Sequence, residues 1–339
     1  MSSPELDGAD ISDRIQLLDA DSVNATHAQT RSLGRMADLC AWLAGAQSNC
    51  PPTFPERTRL IVFSGTHRSG AAVSSLAAEP DLGSMSVQVN PHLNRYSTHV
   101  VDIAPLTDPA VDREAIMVAF NAGRALADTE VDAGTGLFLL AATGPGSTTS
   151  AATIVGLLCG SDVATVTGRG LGIDDALWMR KAAIVRDLMR AGRHHISDPI
   201  GLLAATESNV AAGMAGFLLQ SAIRQTPVIL DDLLPAAAAL IGQRISYRST
   251  LWWAASQVTP EPAHAMALDR LDLAPLLDLE IRQGGGFGVQ IAADALRAAV
   301  EMISPTAGRE MIGAPLIGTS DVPLGVATSK FRESAQPKP

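Results

Sequence analysis

The amino-acid sequence predicts an α/β protein in which a parallel sheet is flanked by helices. Three observations carry the expectation. Short apolar runs closed by glycine or polar residues recur along the chain, each the length of a strand buried on both faces. Between them lie segments whose apolar residues fall at helical spacing. The two kinds alternate as helix, strand, glycine-rich turn and helix, the order that parallel strands require because only crossover connections can join them.

The first helix is expected over Ser32 to Gln47, where Leu33, Met36, Leu39, Leu43 and Ala46 share a face and Cys50, Pro51 and Pro52 end the run. Arg59 to Ser64 reads as a strand stopped by Gly65, and Thr98 to Ala104 as a second. A helix follows over Arg113 to Ala133, a strand over Gly136 to Thr143, and a helix over Thr149 to Cys159. Val163 to Thr167 is expected as a strand, with helices after it over Asp174 to Ala191, Asp198 to Ala205 and Val210 to Arg224. Pro227 to Asp231 is the next strand and leads into the alanine-rich helix Pro235 to Ile245. The last third holds a strand Leu251 to Ala255, a helix Glu261 to Leu271, a strand Leu276 to Ile281, the glycine run Gly284 to Gly288 and a helix Gln290 to Ile303.

The chain has 339 residues, 47% of them hydrophobic and 18% charged, enough to bury a large core. A formal net charge of −10, with no basic run interleaved with aromatics, argues against a nucleic-acid partner, which would need Lys and Arg to displace counterions. Cys40, Cys50 and Cys159 are odd in number and lack metal-ligand spacing, as in a reducing compartment. The acidic start shows no signal-peptide pattern, and no apolar run approaches the roughly 20 residues that cross a bilayer. A cytoplasmic protein with no membrane partner is the expectation. The histidines, including His194, His195 and His264, form no i, i+4 pair with a third ligand, so neither a metal nor another cofactor is expected.

Three glycine-rich turns could carry chemistry. In Thr143-Gly144-Pro145-Gly146-Ser147-Thr148-Thr149, between a strand and a helix, glycines admit a ligand close to the backbone while hydroxyls and helix N-terminal amides face an anion. A phosphate suits that place, and a capped tight turn explains the same residues. Gly168-Arg169-Gly170-Leu171-Gly172 adds a fixed positive charge, with Lys181 on the following helix. Gln283-Gly284-Gly285-Gly286-Phe287-Gly288 reads either as a surface for a planar ring or as a wide turn. Of the paired acids, Asp174-Asp175 fits a helix cap, and Asp231-Asp232 ends a strand where a site is plausible.

Taken in order, these segments resemble the nicotinate-nucleotide:dimethylbenzimidazole phosphoribosyltransferase family from about Arg31 to about Ile303. Ser32-Leu33-Gly34-Arg35 resembles the family's Gly-Ser-Leu-Gly-Arg, and Ser64-Gly65-Thr66-His67 its Gly-Asp-His-Gly-Val strand end. Gly144 to Ala152 resembles Gly-Ile-Gly-Asn-Thr-Thr-x-Ala-Ala, Gly168 to Lys181 the Gly-Arg-Gly-Thr-Gly segment with its lysine, and Asp231 the Asp-Gly-Phe strand end. Glu261-Pro262-Ala263-His264 resembles Glu-Pro-Gly-His.

The resemblance implies transfer of a 5-phosphoribosyl group from nicotinate mononucleotide to a ring nitrogen of an aromatic base, with inversion at the anomeric carbon. It implies a phosphate and nucleotide site of Gly144, Gly146, Ser147, Thr148, Thr149, Arg169, Gly170, Lys181, Asp231 and Thr259. The base would meet Gly284, Gly285, Gly286 and Phe287. The family's two catalytic glutamates fall at Ala142 and Gly285 here, and Asp232 stands where the family has glycine. Glu280, Glu261, His264 and His67 are the titratable substitutes, and the segment between Ser75 and Val100 is shorter than the family's. Two functions are therefore open: an active transferase with an altered base, or a catalytically silent paralogue that binds a nucleotide or partners an active homologue, as a homodimer or a heterodimer. The expected architecture is a Rossmann-like parallel sheet flanked by helices with a small helical subdomain from the N- and C-terminal segments. It would span 31–304, after a polar lead over 1–30 and before a loose tail over 305–339.

Overall fold

The computed structural model describes residues 8–67, 96–103 and 113–304. In chain order its strands are β1 (Thr58–Ser64), β2 (Ser97–Asp102), β3 (Leu137–Thr143), β4 (Val228–Leu230), β5 (Trp253–Ala255), β6 (Gln257–Val258) and β7 (Leu277–Asp278). The helices are α1 (Gly8–Arg14), α2 (Ala20–Thr30), α3 (Arg35–Gln47), α4 (Arg113–Asp132), α5 (Ser147–Cys159) and α6 (Val163–Val166). They continue as α7 (Asp175–Gly192), α8 (Pro199–Ala205), α9 (Asn209–Ile223), α10 (Leu233–Ile245), α11 (Pro262–Leu271) and α12 (Phe287–Ile303).

β1 to β5 form one parallel sheet in the order β2-β1-β3-β4-β5. The expected α/β fold, a parallel sheet flanked by helices, is what forms. All seven residues of β3 are buried, which is why that segment reads as an unbroken apolar run with no alternation. Alternate side chains then feed two cores. Ile61, Phe63, Phe138 and Leu140 pack with α4, α5, α9 and α10 on one face, while Leu60, Val62, Leu137 and Leu139 pack with α3 and α12 on the other. The N-terminal α3 and the C-terminal α12 thus meet as one layer over the second face.

Several elements differ from the sequence expectation. Val163–Val166 is a single helical turn, not a strand: Asp162 accepts from the amide and the hydroxyl of Thr165, and that cap outweighs the β-branched residues. Residues expected as a polar lead include α1 and α2, which bury Ile11, Thr26 and Thr30, with Ile15 buried just after α1. Their faces are short and partly polar, so they give no strong periodic signal. The strand expected over Leu276 to Ile281 shrinks to β7, which pairs with β6 in a separate two-stranded sheet. Helix α12 begins at Phe287, so Phe287 and Gly288 belong to its first turn. Ala104, most of the segment between Ser75 and Val100, and the tail over 305–339 lie outside the described residues.

Candidate active site

Parallel strands align their carboxyl ends, and the three glycine turns gather at that edge. The chain leaving β1 is stitched to the chain leaving β3: the amide of Gly65 donates to the Thr143 carbonyl at 3.3 Å, and that of His67 to the Pro145 carbonyl at 3.0 Å. Gly144 makes this approach possible. Its φ is +129°, and a Cβ there would lie 2.0 Å from the Gly65 carbonyl oxygen. Gly146, at φ +83°, turns the chain into α5 with no side-chain cap.

The hydroxyls of this loop divide by direction. Thr149 is buried, and Ser150 bonds to Ser208 at 2.7 Å in the core. Ser147 and Thr148 stay half-exposed. The amides of Ser147, Thr149 and Ser150 close onto the Gly144 and Gly146 carbonyls, and none of these turn bonds uses the amide of Thr148. A phosphate at this loop would therefore meet Ser147 and Thr148, with Thr149 holding the turn from inside.

Lys181 joins this loop to the second glycine turn. Its Nζ, on a side chain 3% exposed, donates to Thr148 Oγ1 and to the Gly168 carbonyl, each at 2.9 Å. Glu261 Oε2 lies 3.6 Å from Nζ, and Glu261 Oε1 accepts from the Gly170 amide at 2.6 Å. Gly168 is glycine because Glu261 occupies the space a Cβ would need, with Oε2 at 2.2 Å. Burial lowers the Lys181 pKa, and the Glu261 charge opposes that shift. Arg169 turns outward instead, bonded to Asp175 and to the Ile173 carbonyl. Arg282, which the sequence reading passed over, donates to the Gly170 carbonyl at 3.3 Å from the segment before the glycine run. Its one signal was a cation immediately ahead of Gln283 and the glycines.

The third turn is held by Asp231. This buried carboxylate accepts from the amides of Gly286 (2.9 Å) and Val289 (2.8 Å) and from Gln257 Nε2 (3.2 Å), so it caps the first turn of α12. Burial pushes its pKa up against the pull of those donors. These three bonds shape the glycine segment. Gly285 donates its amide to the Ala142 carbonyl at 3.0 Å, bringing together the two positions singled out as lacking a carboxylate. Phe287 is half-buried in α12.

The substitute acids and bases scatter. Glu261 is committed to Lys181 and Gly170, and Glu280 is exposed at φ +53°. His264 Nδ1 accepts from the Thr259 amide at 3.1 Å and lies 3.0 Å from Thr259 Oγ1, so Thr259 serves the α11 start. Burial lowers the His264 pKa to about 3 and the His67 pKa to about 4, and among the described residues no partner meets either ring nitrogen of His67. Among the described residues no cluster of three His, Cys, Asp or Glu side chains could hold a metal, and no helix is long and apolar enough to cross a membrane.

A family model described as phosphoribosyltransferase matches residues 66–311, so the chain is of the phosphoribosyltransferase class. A nicotinate-nucleotide–dimethylbenzimidazole phosphoribosyltransferase of Streptomyces avermitilis is 42% identical, over 80% of this chain and 81% of its own. One from Mycobacterium avium is 37% identical, over 81% and 88%. The chain belongs to the nicotinate-nucleotide–dimethylbenzimidazole phosphoribosyltransferase family. In fold it is similar to CobT from Thermus thermophilus, with a TM-score of 0.73 at 23% identity over 84% of this chain and 96% of that one. A second Thermus thermophilus structure, named for the same transferase, gives 0.69 at 24% identity over 89% and 96%.

Proposed function

We propose that the protein transfers the 5-phosphoribosyl group of nicotinate mononucleotide to a ring nitrogen of dimethylbenzimidazole or a related aromatic base. The observation that carries this reading is Lys181. A buried ammonium that ties Thr148 to Gly168 places one positive charge behind two glycine turns at the carboxyl edge of the sheet. That arrangement suits a dianionic phosphate, and the names of the relatives supply the donor and the acceptor. Ser147 and Thr148 would meet the phosphate oxygens, and Arg282 with Arg169 would add positive potential at the rim. The base would lie along Gly284 to Gly286. Ala142 and Gly285 offer no carboxylate, so any proton acceptor stands elsewhere.

The experiment is titration of the purified protein with nicotinate mononucleotide by calorimetry, followed by release of nicotinate with dimethylbenzimidazole and a panel of other bases. Micromolar to millimolar binding, and release that depends on an added base, are expected. Binding without release for any base would leave a nucleotide-binding protein that is catalytically silent. Absence of both would sink the reading.

A further inference from the structure

Resting on the transfer reaction proposed above, we propose that Asp232 is the proton acceptor for the incoming base, with its Oδ2 as the receiving atom. The reaction needs such a group. The bond between the ribosyl C1′ and the nicotinate nitrogen breaks with its electron pair going to that nitrogen, which neutralises the pyridinium. The acceptor's ring nitrogen forms the new C1′–N bond with its lone pair, and the acceptor's N–H proton must leave for the product to be neutral. Nothing is oxidised or reduced. The proton passes to Asp232 and then to water when the product departs.

The other carboxylates near the carboxyl edge are engaged or misplaced. Asp231 has both oxygens bonded to Gly286, Val289 and Gln257. Glu261 is bound to the Gly170 amide and faces Lys181, and Glu280 is exposed. Asp232, at the end of β4, differs. Its Oδ1 accepts from the Leu234 amide at 3.3 Å, capping α10, and no donor among the described residues meets its Oδ2. That oxygen points into the glycine segment: a Cβ on Gly284 would lie 2.6 Å from Oδ2 and 3.0 Å from the Ala142 carbonyl oxygen. The Gly285 amide bonds to the same carbonyl at 3.0 Å. The free oxygen of Asp232 therefore occupies the neighbourhood of Ala142 and Gly285, where neither residue can accept a proton.

Burial and the charge of Asp231 push the Asp232 carboxyl well above the usual carboxylate range, so it holds a proton more readily than an exposed carboxylate does. Asp231 is the charged group acting on it, since Ala142 of β3, the glycines and Leu234 of α10 carry none. Two neighbouring acids are thereby separated in role: one fully hydrogen-bonded and structural, the other half-buried with an oxygen to spare.

The test uses Asp232→Asn and Asp232→Ser, both of which keep an acceptor for the Leu234 amide and so preserve the cap. Turnover with dimethylbenzimidazole is expected to fall by about 10² to 10⁴ in each. The dissociation constant for nicotinate mononucleotide should stay within about threefold of the unaltered protein, and the acidic limb of the pH–rate profile should vanish. A thermal melt reports folding, and whichever variant melts like the unaltered protein decides the outcome. If the unaltered protein transfers the ribosyl group and such a variant keeps its turnover and pH profile, Asp232 is not the base. If the unaltered protein releases no nicotinate with any base, the transfer reaction fails, and this assignment falls with it.

Discussion

Removing the Lys181 ammonium would leave the Glu261 carboxylate buried, with an oxygen that no hydrogen bond from the described residues meets. Lys181→Met is therefore expected to cost about 3–5 kcal/mol, the order seen when one partner of a buried pair is lost. Adding Glu261→Gln should recover most of that stability while nicotinate mononucleotide binding stays weakened at least tenfold. Denaturant melts and calorimetry on the two variants separate the structural role from the binding role. His264 gives a pH prediction. Its folded pKa of about 3 lies below the ordinary value of 6.5, so its stability contribution is complete above pH 6.5 and is lost as pH falls towards 3. His67 adds a loss of the same sign between 6.5 and about 4. His264→Asn, which retains an acceptor for the Thr259 amide, should flatten the slope of stability with pH below 6.5 by on the order of 1.4 kcal/mol per unit. An unchanged slope between pH 6 and 4.5 would mean that His264 does not carry it.

Among the elements, α4 and α9 cross more closely than side chains allow. A Cβ on Gly123 would lie 1.8 Å from the Gly213 carbonyl oxygen, and one on Gly216 lies 2.0 Å from that of Phe120. Helix propensity alone favours Gly→Ala by about 1 kcal/mol. Gly216→Ala is expected to destabilise by roughly 1–3 kcal/mol instead, because the helices must part. Urea denaturation reads the sign. The same elements show what was legible in the sequence. Strand β3 and helices α4, α5 and α9 were readable because burial on all sides, or on one clear face, writes itself as an apolar run or a period. Strand-like Val163 to Val166 misled because the deciding contact was one cap from Asp162. Helices α1 and α2 were missed because their burial is shared among small and polar residues such as Ser22, Thr26 and Thr30. The glycine turns were legible as a site, but the directions of Arg169 and Thr149 were not, since spacing says nothing about which neighbour a side chain chooses. Asp232 was legible as half of an acid pair ending a strand, where a site is plausible, but its approach to Gly284 is a tertiary fact.

For the whole molecule, the parallel sheet brings three distant glycine segments to one edge and fixes Lys181 and Glu261 between two of them. Long sequence separations, such as that of Glu261 from Gly170, are closed by that topology. The glycine turns and Lys181 thus share one edge with Ala142 and Gly285, which carry no acid. The central claim is that this edge still performs ribosyl transfer. Its most direct test is product analysis after incubation with nicotinate mononucleotide and dimethylbenzimidazole: equal amounts of nicotinate and of a base ribonucleotide 5′-phosphate, inverted at the anomeric carbon, are predicted. Intact nicotinate mononucleotide after prolonged incubation with a protein that binds it would contradict the claim.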